Sequence, residues 1–130
     1  LFRRADLLCI NCHQAERHGR EFGPALAGLG HKYNREQVLD QILNPSKTIH
    51  PDYVLQEVLL KDDEPLAGFI RNRTEKEVLL RDPTLKEHRI PFTRIKSIRP
   101  SPLSAMPIGI TQTLTAQKAA DLVDYLRSLK

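Results

Sequence analysis

Tryptophan is absent, and four Phe and three Tyr are the only aromatic residues in 130, or 5% of the chain. A core built from this composition is aliphatic and short of bulk, unless a large apolar body joins it from outside. No run of eighteen apolar residues occurs, which excludes a membrane-spanning helix. Neither sign of charge dominates. Lys plus Arg is 20 and Asp plus Glu 16, leaving +4 at pH 7. That mild excess suits an acidic protein partner and falls short of the local basic field that nucleic acid requires. Low-complexity tracts are missing, and 40% apolar content is too high for a disordered chain. No charged stretch leads into an apolar signal core. An opening at Leu1 instead of Met marks either a processed terminus or a piece of a longer chain.

Cysteine is nearly absent as well, with only Cys9 and Cys12. A bridge between them would close a loop too short to stabilise much, so this is not a disulfide-stapled domain. What the two cysteines do have is a neighbour. His13 follows Cys12 directly, and C-x-x-C-H is the attachment motif for c-type haem.

Around the motif the chain reads as one domain, 1–130, with a β-rich insertion at 52–99. Residues 1–14 predict a short helix and 19–30 a loop. Asn34 and Gln37 have capping-box spacing at the start of a helix whose apolar stripe is Val38, Leu39, Ile42 and Leu43, with Pro45 beyond its end. Short β-prone stretches follow at 53–60, 69–71, 78–80, 89–92 and 95–98, punctuated by turns at 62–65, 72–74 and 82–84. Pro100, Pro102 and Pro107 exclude regular helix from the segment that contains Met106, the only methionine. Thr115 caps a last helix with Ala119, Leu122, Val123, Leu126 and Leu129 on one face.

On a helix, Cys9, Cys12 and His13 stand at i, i+3 and i+4 and share a face. Both thiols can then form thioethers to one haem while His13 gives the iron a neutral imidazole. Met106 lies between Ala105 and Pro107 instead of on a helical stripe, which makes it the candidate second axial ligand. His18, His31, His50 and His88 are its rivals. Three other readings of the motif stay open at this point: a structural zinc site using His13 or His18, a thioredoxin-like redox pair, and chance. Tyr33 and Tyr53 can line a pocket. Arg71, Arg73, Arg89, Arg94, Lys96 and Arg99 either form a solvated sheet face or steer an acidic electron partner.

With these residues in place, the sequence resembles class I cytochromes c. It is most similar to the C-terminal c-type haem-binding domains of membrane-bound dehydrogenases of planctomycetes and verrucomicrobia. The resemblance is carried by Cys9-Ile10-Asn11-Cys12-His13, Gly23-Pro24-Ala25-Leu26, Leu43-Asn44-Pro45-Ser46-Lys47-Thr48-Ile49 with Tyr53, Ser101-Pro102-Leu103-Ser104-Ala105-Met106-Pro107, Leu114-Thr115-Ala116-Gln117 and the segment 121–129. It departs in the first helix, where Leu1 and Ala5 replace a glycine and an aromatic, and at Asp62-Asp63-Glu64, which lacks a turn glycine.

The resemblance implies a mainly α, class I cytochrome c fold with an antiparallel insert of four or five strands between the second helix and the methionine loop. It also implies one covalently attached haem c, held by Cys9 and Cys12, with His13 and Met106 on the iron and the Pro24 carbonyl bonded to His13. The expected function is one-electron relay between a dehydrogenase, fused or associated, and another redox carrier outside the cytoplasm. No catalysis of its own is expected. The alternative is a haem enzyme or gas sensor whose distal ligand is displaceable.

Overall fold

The computed structural model describes all residues, 1–130. They form two compact units: Leu1–Thr48 with Met106–Lys130, and Ile49–Ala105.

The first unit opens with a 3-10 turn at Ala5–Leu7, then a single helical turn α1 (Cys9–Cys12). Leu8 separates them with a left-handed backbone, φ 64°, a conformation unfavourable for a residue with a Cβ. The helix predicted over 1–14 is therefore two short pieces. The chain then makes a small hairpin, β1 (Gln14–Ala15) with β2 (His18–Gly19), and two helices, α2 (Leu29–Lys32) and α3 (Arg35–Leu43). At Asn34 the capping box is complete: Oδ1 accepts from the Gln37 N–H at 2.8 Å, and Gln37 Oε1 from the Asn34 N–H at 2.9 Å. Val38 and Ile42 are buried, whereas Leu43, counted in the same stripe, faces solvent at 45% exposure.

The last helix, α4 (Ala116–Ser128), starts at Thr115, whose hydroxyl accepts from the Lys118 N–H at 3.2 Å. Its buried Leu122, Val123 and Leu126 meet Phe2, Ala15, Val38, Ile42 and Leu129 in one core. Gly30 lets α2 approach the α4 backbone, because a Cβ there would collide with the Arg127 carbonyl oxygen.

The second unit is an antiparallel sheet of five strands: β3 (Gln56–Leu60), β4 (Pro65–Arg73), β5 (Glu77–Arg81), β6 (Glu87–Pro91) and β7 (Ile95–Pro100). Their order is β6-β5-β4-β3-β7. A 3-10 turn at Phe92–Arg94 returns the chain so that β7 pairs with β3. Val58, Leu60, Leu80 and Ile90 form a core of its own. The turn without glycine is made by Asp63, which takes φ 66° while the Asp62 carboxylate accepts from the Glu64 N–H at 3.1 Å. Asp tolerates that backbone better than most residues. Asn72 and Arg73, expected in a turn, belong to β4; the turn falls at Thr74, whose hydroxyl accepts from the N–H groups of Lys76 and Glu77.

The mainly α, class I cytochrome c fold expected from the resemblance is not the one observed. The chain is mixed, 30% helical and 26% strand, with a sheet of five strands, a sheet of two and four helices. The physical causes are local. Leu8 and the extended His13 limit the first helix to one turn, and residues 56–100 spend their backbone bonds on strand pairing around a separate core. No helix is long and apolar enough to cross a membrane.

Candidate functional site

α1 holds the two cysteines one turn apart and ends as the His13 N–H donates to the Cys9 carbonyl at 2.8 Å. His13 itself is extended, φ −110° and ψ 143°, so Cys9, Cys12 and His13 do not continue on a common helix; the imidazole leaves from the helix end. The following loop is clamped onto that end. The Cys12 carbonyl accepts from Phe22 and Gly23 at 3.0 and 2.6 Å, and the Ile10 carbonyl from Arg20 at 3.1 Å. Buried Phe22 anchors the loop.

This clamp sets the imidazole. His13 Nδ1 lies 2.8 Å from the Pro24 carbonyl oxygen. A carbonyl only accepts, so Nδ1 carries the proton and Nε2 the lone pair. Burial lowers the pKa of His13, against a smaller opposing effect of the Pro24 bond, so the ring stays neutral at pH 7. A neutral ring with a fixed tautomer is the form that binds a metal. Gly23 is part of the fit, since a Cβ there would stand 2.8 Å from His13 Cε1. This steric role of Gly23 becomes visible only in three dimensions.

Both cysteines are free thiols and half-buried. Cys9 Sγ donates to the Leu7 carbonyl at 3.6 Å. Burial pushes both thiols above their ordinary pKa, with a nearby Arg20 partly offsetting this at Cys12. Protonated thiols are poor nucleophiles at neutral pH, which counts against a thioredoxin-like pair. No group of three or more His, Cys, Asp or Glu side chains is arranged to hold a metal ion, which counts against zinc.

Met106 is half-buried against the same core cluster as Cys9. So are Ile10, Leu26, Leu29, Ile110 and Leu114, each only partly covered. A neutral imidazole, two thiols and a thioether make a donor set whose chemistry fits a haem c.

The rival histidines do other work. His18 is exposed beside Arg3, His31 is exposed on α2, His50 accepts from the Asp52 N–H, and His88 lies 2.7 Å from the Asp82 carboxylate in the sheet unit. Tyr33 is half-buried on the first unit's core, while Tyr53 packs edge-on against Phe69 in the second. Of the insert's cations, Arg89, Lys96 and Arg99 pair with Glu77, Asp63 and Glu57, and Arg73 lies over the Phe92 ring. No model of a known protein family matches the chain, and no curated protein matches it significantly.

Proposed function

We propose that Leu1–Thr48 with Met106–Lys130 hold one haem c and serve as a one-electron relay, akin to the haem-binding domains of dehydrogenases. Cys9 and Cys12 form its thioether links, and His13 gives Nε2 to the iron. When bound, haem supplies a one-electron ferric–ferrous couple. The Pro24 carbonyl keeps the His13 proton on Nδ1 and fixes the ring plane. Met106 would be the second iron donor, a soft thioether that would raise the reduction potential relative to a second imidazole. With His13 and Met106 both holding the iron, no site would be left for substrate, so substrate chemistry would belong to a partner. That partner is a dehydrogenase, fused or associated, and a second redox carrier takes the electron onward. Covalent attachment would require assembly outside the reducing cytoplasm, as the resemblance implies. Nucleic acid is not among the proposed partners.

The observation that carries the reading is the C-x-x-C-H segment with its imidazole already pinned in the metal-binding tautomer. Its test is the optical spectrum of the matured protein in both oxidation states. The reading expects a low-spin spectrum, with a sulfur-to-iron charge-transfer absorption in the oxidised form. A high-spin spectrum with fast carbon monoxide binding would replace the relay with a gas-binding or enzymatic role.

A further inference from the structure

Residues 107–115, between Met106 and α4, form neither helix nor strand. Their backbone bonds are short-range, Gln112 N–H to Gly109 carbonyl at 3.2 Å and Leu114 N–H to Thr111 carbonyl at 2.9 Å. Such bonds shape a loop without fixing where it sits. Ile110 and Leu114 rest half-buried on the core, while Ile108 is 78% exposed. Apolar contact of that kind holds a loop down without setting its register.

A polar contact at the surface ties the loop to a distant segment. Thr113 Oγ1 donates to Asp6 Oδ2 at 3.1 Å, linking residues 107 positions apart. Asp6 belongs to the 3-10 turn just before the haem motif, three residues ahead of Cys9, and the turn is tied down by buried Phe2 and Leu7. Its carboxylate is oriented in advance. Arg4 donates to it twice, Nε to Oδ1 at 3.0 Å and Nη2 to Oδ2 at 2.6 Å. A hydrogen bond to an ionised, pre-oriented acceptor is stronger than a neutral one.

We propose that Asp6 and Thr113 form a latch that fixes the Met106 loop to the segment carrying Cys9, Cys12 and His13, and so act as positioning residues for the axial thioether. The inference rests on the haem reading above. Neither residue is among the proposed iron ligands. Each acts by keeping the loop in the arrangement that presents Met106, so opening the latch enlarges the population in which the thioether is displaced.

The test uses the full-length holoprotein and added imidazole, which competes with the Met106 thioether and is followed optically. Thr113→Val, which removes the hydroxyl at nearly constant volume, is expected to bind imidazole about fivefold more tightly. Asp6→Ala should match it, the double variant should add little, and Thr113→Ser should restore the original affinity. Lowered thermal stability with unchanged imidazole affinity would make the contact merely structural and overturn the proposal. The haem reading is judged separately, on the unsubstituted protein. A matured sample without covalent haem, or without the sulfur-to-iron absorption, overturns that reading and the ligand-positioning role with it. Amide exchange in the full chain before haem attachment then still reports on the tie. Thr113→Val should speed exchange across residues 107–115 about fivefold, and no change there overturns the tie itself.

Discussion

His13 shows how much one side chain can owe to a neighbouring backbone. The Pro24 carbonyl selects the tautomer, burial keeps the ring neutral, and the missing Cβ at Gly23 leaves the ring its place. Gly23→Ala should therefore either turn the imidazole away from Pro24 or shift the loop, at a cost of about 1–3 kcal/mol. Urea unfolding of the full chain would measure that cost, and unchanged stability with unchanged spectra would contradict this account of Gly23.

Asp82 is a second concentrated site. Its carboxylate accepts from the Thr84 hydroxyl and N–H, the Lys86 N–H and His88, and these bonds, Thr84's first, lower its pKa to about 2. The folded form thus favours the ionised state more than the unfolded form does. That stabilisation is complete above the ordinary value of 3.8 and is lost as pH falls toward about 2. Asp82→Ala should lose about 1 kcal/mol near pH 6 and flatten the decline in melting temperature between about pH 4 and pH 2, the window between the two pKa values. An unaltered acid profile would count against this role for the turn.

Among the elements, those specified by neighbours in sequence were the legible ones. The caps at Asn34 and Thr115 lie where short-range spacing put them, and the β-prone stretches fall on β3 to β7. What was not legible depends on distant partners. Leu8 adopts a left-handed backbone that no local rule asks of a leucine, β4 runs on through Asn72 and Arg73 because β5 pairs with them, and Leu43 turns to solvent at the end of α3. The same limit applied to the site. Cys9, Cys12 and His13 announce themselves by spacing, whereas the grip of residues 22–24 on the helix end exists only in three dimensions. Within the sheet, Leu80 is fully buried among Val58, Leu60 and Ile90. Leu80→Ala should cost about 2–5 kcal/mol, read as a lower urea midpoint for the sheet unit. A loss well under about 1 kcal/mol would mean that the cavity collapses or that this core matters little.

On the scale of the whole molecule, a mixed fold replaces the mainly helical one that the resemblance suggested, since a five-stranded sheet closes on a core of its own. The sheet unit closes on aliphatic strands. In the other, Ile10, Leu26, Leu29, Met106, Ile110 and Leu114 pack against the core only partly covered. A chain without tryptophan has little of its own with which to cover them. The proposed haem would supply the flat apolar bulk that this composition lacks.

The most direct measurement of that claim is the intact mass of the protein, denatured after production in a host that matures c-type haem. The account predicts the mass of the chain plus one haem, and the chain alone when Cys9 and Cys12 are both changed to Ser. The bare chain mass for the unsubstituted protein, in a host that attaches haem to other cytochromes, would contradict it.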